Sequence, residues 1–159
     1  LYDLARAVYF QGISHPVAST LGHDIAPGGR VPFQHTSPIG IGLLSAGLVI
    51  RSISIIASAI FLIQIGRHAL RGNFFIKRNL CLFRRSSLGV AGTFLGYGLQ
   101  LLGADMVAHQ YHLNKAWSQQ FEFPNYLFTV SYLFFITLII MTIIVKRGME
   151  MQLDQEGLI

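Results

Sequence analysis

Arg51 is the first residue whose position suggests chemistry, because it interrupts a long apolar run, residues 39–65, near its middle. A guanidinium inside such a run is costly unless it faces a polar pocket, a carboxylate or another subunit. The alternative is that an over-long, tilted helix lets the arginine reach the membrane surface. Asp105 is the only carboxylate within the apolar runs, so an ion pair between Arg51 and Asp105 is one expectation.

A second group with chemical potential is Asp105, His109 and His112, whose spacing would stack them on one face of a continuing helix. Three nitrogen and oxygen ligands of this kind can hold zinc or iron. The alternative is an ordinary polar boundary, because Tyr111 and Trp117 nearby are typical of a membrane interface. A metal-dependent membrane enzyme is therefore one open hypothesis.

The histidines lie outside the central parts of the apolar runs, where a b-type haem in a helical bundle usually takes its ligands. Two are at the ends of runs, three precede the first run and one follows the second run, namely His68, His109, His15, His23, His35 and His112. The sequence also lacks a phosphate-binding glycine loop, a nucleophile elbow and a metalloprotease helix. We therefore expect neither catalysis nor haem b binding from this chain alone.

Six basic residues, with no acid among them, lie in a predicted loop between the first two apolar runs, residues 66–87. Aromatic and aliphatic residues alternate with them, which favours an interfacial segment that holds anionic lipid head groups, with cardiolipin as the candidate lipid. The alternative is that these charges serve orientation and protein contacts. Nucleic acid is not expected, because a patch between two spans cannot follow a phosphate backbone. The basic residues are Arg67, Arg71, Lys77, Arg78, Arg84 and Arg85.

Three apolar runs must position these groups: residues 39–65, 88–108 and 126–145. As a helix, each run is long enough to cross the roughly 30 Å of bilayer hydrocarbon. Hydrophobic residues make up 52% of the 159 residues and charged residues 12%, which leaves too little polar surface for a soluble fold. We therefore predict an all-α integral membrane protein with three transmembrane helices.

The second and third runs differ in composition. Gly92 and Gly96 in the second run have the spacing at which helix backbones approach closely in lipid. The third run carries no charge and is dominated by bulky apolar residues, which favours a lipid-facing position.

The two ends of the chain lie outside these runs. Residues 1–38 contain most of the prolines and a glycine pair, and they predict an extended, turn-rich arm. Residues 146–159 form a short C-terminal tail. Such segments usually gain order by lying on neighbouring subunits, so we expect other subunits of a membrane complex as partners.

The basic residues also predict an orientation, because lysine and arginine near span ends resist translocation. Eight lie on the side of the 66–87 loop and the C-terminus, whereas three, Arg6, Arg30 and Lys115, lie on the other side. We therefore expect the loop and the C-terminus on the cytoplasmic or matrix side of the membrane. The membrane that we expect is the mitochondrial inner membrane, where this is the matrix side. Leu1, in place of an initiator methionine, is compatible with a removed organellar presequence.

Two short stretches resemble the small membrane-anchor subunits of succinate dehydrogenase, respiratory complex II. Gln34-His35-Thr36-Ser37 precedes the first run, as a similar stretch does in the smaller anchor. Gly98-Leu99 leads to Asp105-Met106 at the spacing of a Gly-Leu and an Asp-Tyr pair in that subunit. The resemblance implies three spans and a quinone site, with ubiquinone as ligand.

The sequence also departs from that family. Met106 stands where the family's quinone-contacting tyrosine is expected, and the haem histidine that precedes the Gly-Leu pair is absent. The orientation predicted from charge is the reverse of the family's. An arginine in the first span is nevertheless similar to the larger anchor, where a serine and an arginine help to bind quinone.

These observations lead to one main hypothesis and two alternatives. The main hypothesis is a non-catalytic membrane subunit of a multi-subunit respiratory, electron-transport complex, which anchors or scaffolds its neighbours. The first alternative is a quinone-binding anchor of complex II, with a head-group pocket shaped by Arg51, Ser54, Tyr97 and Asp105. The second is the metal-dependent membrane enzyme.

Overall fold

The computed structural model describes residues 9, 11–15, 17–18, 21, 24, 26, 28–33, 36–113 and 126–156. The His35 part of the complex II resemblance, together with Leu1, Lys115 and Trp117, lies outside these residues. The described part contains two short strands and three long helices. They are β1 (Gly12–Ser14), β2 (Arg30–Pro32), α1 (Pro38–Leu70), α2 (Lys77–Gln110) and α3 (Tyr126–Glu156).

Helices α1 and α3 are long and apolar enough to cross a membrane. The 33 residues of α1 extend for about 50 Å, more than the hydrocarbon layer requires. In the most apolar 18-residue stretch of α1 only 17% of the residues are buried, and in the corresponding stretch of α3 only 11%. A core helix of a soluble protein would be mostly buried. The prediction of apolar helices of membrane-spanning length is confirmed for these two.

Helix α2 is just as long, with 34 residues, but it is not shown to be a span. It begins at Lys77, well before the predicted run 88–108, and its first turns carry Arg84 and Arg85. Glycine and polar residues dilute its later, apolar part. The predicted 66–87 loop is therefore largely helical, since α1 continues to Leu70.

A Schellman motif ends α1. The Asn73 amide donates to the His68 carbonyl at 3.1 Å, and the Gly72 amide donates to the Ala69 carbonyl at 3.0 Å. Gly72 has a φ of +78°, a left-handed conformation that glycine adopts without steric cost. A short linker, residues 71–76, therefore joins α1 to α2.

The arm holds an antiparallel strand pair, in which Ile13 is opposite Val31. Both side chains belong to a buried hydrophobic core that also includes residues of α1 and α2. The arm therefore contributes buried side chains to the core as well as forming turns. The buried members of this core are Ile13, Val17, Ala18, Leu21, Ala26, Val31, Leu44, Leu48, Ala104, Val107 and Ala108.

The chain divides into two compact units. The first unit comprises Leu1–Ser52 and Phe94–Phe123, and it contains the strand pair and the hydrophobic core. The second unit comprises Ile53–Thr93 and Pro124–Ile159, and it contains the 71–76 linker and α3. Helix α3 continues to Glu156, so most of the predicted C-terminal tail is helical. Lys146 and Glu150 form an exposed ion pair there, with N and O 3.7 Å apart.

Candidate functional site

In the first unit, α1 and α2 pack backbone against backbone. A Cβ added to Gly47 would lie 2.5 Å from the Gly96 carbonyl oxygen. A Cβ added to Gly96 would lie 2.8 Å from the Arg51 amide nitrogen. Only residues without a side chain allow helices this close. This contact brings Arg51 of α1 against the face of α2 that carries Gly96 and the residue one turn later.

That residue is Gln100, and it is the hydrogen-bond partner of Arg51. The Arg51 Nη1 atom donates to Gln100 Oε1 at 3.1 Å, and Gln100 is 3% exposed. The expected ion pair with Asp105 does not form in the described part of the chain, because Asp105 is exposed on a different side of α2. Arg51 is therefore held by a neutral amide.

His15 of the arm lies within electrostatic range of the same arginine. Its Nδ1 atom accepts a hydrogen bond from the Val17 amide at 3.2 Å. Burial of the imidazole, and secondarily the positive charge of Arg51, lowers the pKa of His15 to about 4. His15 is therefore neutral near pH 7, and the first unit contains a polar cluster of Arg51, Gln100 and His15.

The four residues predicted to form a quinone pocket are divided between the two units, and the pocket stays a prediction. Arg51, Tyr97 and Asp105 belong to the first unit, where Arg51 bonds to Gln100 and Asp105 is exposed. Ser54 belongs to the second unit, where its hydroxyl faces Gly92.

Sequence reasoning missed Gln100, the hydrogen-bond partner of Arg51, and the nearby His15 for different reasons. Gln100 lies four residues after Gly96, so helical spacing alone puts both on one face of α2. That spacing could have identified Gln100. His15 depends on how the arm folds, and no local pattern predicts its position.

A basic cleft lies in the second unit, where α1 ends and α2 begins. Its volume is about 340 Å³, and it is lined by Gln64, Arg67, His68, Arg71 and Arg78. Three of the six residues predicted to bind lipid head groups therefore line one cavity. The other three, Lys77, Arg84 and Arg85, are exposed and do not line it.

Asn79 does not line the basic cleft, but its side chain bonds to the linker and to His68, which does. Asn79 is fully buried, and its Nδ2 group donates to the carbonyls of Asn73 at 3.0 Å and Phe74 at 2.9 Å. Its Oδ1 atom lies 2.6 Å from Nδ1 of His68. Because both amide protons are used on carbonyls, Oδ1 is an acceptor and His68 Nδ1 must carry the proton. The ring nitrogen left for other partners is Nε2.

The predicted metal ligands do not share one helical face. Helix α2 ends at Gln110, and His112 has a φ of +57°, outside the helix. The Leu113 amide closes the helix by donating to the Ala108 carbonyl at 2.8 Å, and Leu113 packs against the hydrophobic core. Within the described residues, no three histidine, cysteine or acidic side chains are grouped to hold a metal. The stacked arrangement of Asp105, His109 and His112 was therefore wrong.

No model of a protein family, no curated protein and no solved structure matches this chain. The resemblance to the complex II anchors therefore stays a prediction that rests on the short stretches quoted above. Of these, Gly98-Leu99 and Asp105-Met106 lie in α2. Thr36 and Ser37 lie just before α1.

Proposed function

We propose that this chain is a non-catalytic membrane subunit that anchors or scaffolds the other subunits of a larger assembly. The observation that carries the proposal is the exposed apolar surface of α1 and α3. On α3 the buried apolar side chains among those that the structure describes are Leu138 and Val145, seven residues apart, so only a narrow stripe is used inside the chain. Lipid or other subunits must cover the rest, which includes Val130, Tyr132, Leu133, Phe134, Ile139, Ile140, Ile143 and Ile144.

In its finer form, the proposal makes α2 a third span and places the chain in a respiratory complex of the mitochondrial inner membrane. The charge bias supports a matrix location for the basic cleft and the C-terminus. The close packing of α2 on α1 supports a third span, because small residues at a contact let helix backbones approach each other in lipid. The respiratory complex rests on the resemblance to the complex II anchors.

The proposal is tested by extracting the tagged, full-length chain from membranes with a mild detergent and separating the extract by native electrophoresis. We expect the chain to resist alkaline extraction and to migrate far above its 17.7 kDa mass together with fixed partners. A monodisperse monomer with an activity of its own would overturn the proposal. Recovery of the chain in the alkaline supernatant would do so as well.

A second candidate function is the binding of a quinone head group, favoured by the polar cluster of Arg51, Gln100 and His15. Ubiquinone presents carbonyl oxygens, which a guanidinium can polarise. Arg51→Ala should then lower the rate at which the complex reduces quinone, while the complex still assembles. Arg84→Ala, which removes an exposed arginine from the same chain, is the matched control. Loss of assembly in Arg51→Ala alone would make the arginine structural and end this hypothesis.

A further inference from the structure

We propose that the basic cleft binds the phosphate group of an anionic phospholipid whose acyl chains lie along α1. This inference rests on the proposed function, because it requires α1 to cross a membrane. It is narrower than the sequence-based prediction of six lipid-binding residues, because it assigns the lipid phosphate to one cavity and to three of the six basic residues. The argument has three steps: the cations, the wall that fixes them and the apolar surface next to them.

The cations come from three successive parts of the chain. Arg67 is in the last turn of α1, Arg71 is in the linker and Arg78 is in the first turn of α2. No acidic residue lines the cleft, and none of the three forms an ion pair in the part of the chain that the structure describes. Guanidinium groups bind phosphate oxygens through paired, charge-assisted hydrogen bonds. Three of them in one cavity fit a ligand with more than one negative charge.

The wall of the cleft is held in place before any ligand binds. The Schellman motif at Gly72 fixes the direction of the linker, and the Asn79 side chain bonds to two linker carbonyls. The hydrogen bond that His68 Nδ1 donates to Asn79 Oδ1 also fixes the imidazole ring, so Nε2 is the nitrogen available to a ligand. Preorganisation of this kind lowers the entropic cost of binding.

The apolar surface is an isoleucine stripe on α1, made of Ile53, Ile56, Ile60 and Ile63. These side chains are 60%, 38%, 48% and 57% exposed. Their spacing of three and four residues puts them on one face of the helix, and the next position on that face is Arg67 of the cleft. The stripe therefore leads directly to the basic cleft.

The length of the isoleucine stripe matches a lipid. From Ile53 to Ile63 the helix rises about 15 Å, which is half of the roughly 30 Å hydrocarbon layer, the depth of one leaflet. Acyl chains along the stripe would thus place their phosphate at the level of Arg67. Free phosphate would gain nothing from the stripe. The stripe is the reason to propose a phospholipid as the source of the phosphate.

The test uses the purified full-length chain in detergent, titrated with cardiolipin, with phosphatidylcholine and with inorganic phosphate, and bound molecules are counted by native mass spectrometry. We expect saturable binding of cardiolipin, much weaker binding of phosphatidylcholine and no comparable binding of phosphate. The double variant Arg67→Gln/Arg78→Gln should weaken cardiolipin binding at least about tenfold, as expected for the loss of a charge-assisted hydrogen bond.

The matched variant is Arg84→Gln/Arg85→Gln, which removes the same charge from α2 outside the cleft. Its cardiolipin affinity should change by less than about twofold, an effect of general electrostatics at moderate salt. Equal losses in both variants would overturn the site in favour of a diffuse basic patch. Phosphate binding as tight as cardiolipin binding would overturn the lipid. Circular dichroism checks that both variants keep their helices.

The proposed function has a separate readout in the same preparation. If the chain resists alkaline extraction and assembles but the Arg67→Gln/Arg78→Gln variant keeps its cardiolipin, only the lipid site is overturned. If the chain leaves the membrane on alkaline extraction, the proposed function fails and the lipid site fails with it.

Discussion

The two units use the same pair of helices differently. In the first unit, α1 and α2 touch through their backbones, and Cβ atoms at Gly47 or Gly96 would meet main-chain atoms. In the second unit, the nearest atoms to a Cβ at Gly89 or Gly92 would be the hydroxyl oxygens of serines on α1. A backbone cannot move without moving its helix, whereas a hydroxyl can rotate.

The two units also treat charge differently. The first unit places Arg51 beside Gln100 and an arm histidine, next to a closed hydrophobic core. The second unit leaves three arginines, Arg67, Arg71 and Arg78, exposed around a cleft and the isoleucine stripe exposed along α1. From the comparison we expect the first unit to be the more rigid, whereas the second unit carries the exposed surfaces of the proposed lipid site. The following predictions test that division.

The largest effect is expected for Gly96→Ala. The new methyl group would lie 2.7 Å from the Gly47 carbonyl oxygen and 2.8 Å from the Arg51 nitrogen, so the helices must separate. We expect a loss of about 3 kcal/mol in the free energy of unfolding, measured by denaturation in detergent. Gly98→Ala is the control, because a Cβ at Gly98 has no neighbour within 4 Å. Equal effects of the two substitutions would refute the backbone contact.

The next effect is the dependence of stability on pH that His15 causes. Its pKa is lowered from 6.5 to about 4, so the unfolded chain takes up the proton first as the pH falls. Above about pH 6.5 His15 does not reduce the free energy of unfolding, because it is neutral in both states. As the pH falls from 6.5 toward 4, the free energy of unfolding decreases. After allowance for solvent screening, the loss is on the order of 2 kcal/mol.

Melting temperatures of the protein and of His15→Gln, compared between pH 4 and 7.5, measure this contribution. The melting temperature of the protein should fall relative to that of His15→Gln as the pH decreases from 6.5 toward 4, because glutamine does not titrate. Parallel curves would show that His15 is not buried as a neutral ring.

A smaller effect is expected for Gly92→Ala in the second unit. The added methyl group would meet the Ser54 hydroxyl, and the Ser54 Cβ at 3.2 Å. Rotation of the hydroxyl relieves part of the clash, so we expect a loss of about 1 kcal/mol, by the same denaturation assay. A loss as large as that of Gly96→Ala would remove the distinction between the two units.

The smallest effect, and the one of opposite sign, is expected for Ser86→Ala. Ser86 is fully buried, and its hydroxyl has no hydrogen-bond partner among the described residues. Its carbonyl still accepts from the Ser58 hydroxyl at 3.3 Å. Removing the hydroxyl should leave stability unchanged or raise it by up to about 1 kcal/mol. Ser58→Ala, which removes a bonded hydroxyl, should lower stability, and the reverse order would contradict the assignment.

The sequence was sufficient to predict α1 and α3 as apolar helices, because hydropathy over twenty residues is a local property of composition. Helix ends were less predictable, because they depend on capping. Gly72 is a recognisable C-terminal signal, whereas the left-handed His112 is not. The prediction that Asp105, His109 and His112 share one helical face was wrong because it assumed that the helix continues through residue 112.

Partners across the fold were the least predictable part. Charge complementarity predicted Asp105 as the partner of Arg51, whereas Arg51 donates a hydrogen bond to the neutral Gln100. The six basic residues were recognised as a group, but the selection of Arg67, Arg71 and Arg78 depends on where α1 stops and α2 starts. Sequence spacing across a turn does not contain that information.

The backbone contact between α1 and α2 also bears on how such a sequence can diverge. Exposed positions such as those of the isoleucine stripe accept any bulky apolar residue at little cost. Gly47 and Gly96 accept no other residue without moving a helix. Descendants of a common ancestor could therefore exchange most of their residues and still share a spaced pattern of small ones. We expect that pattern, and not overall identity, to be the inherited signature of this fold.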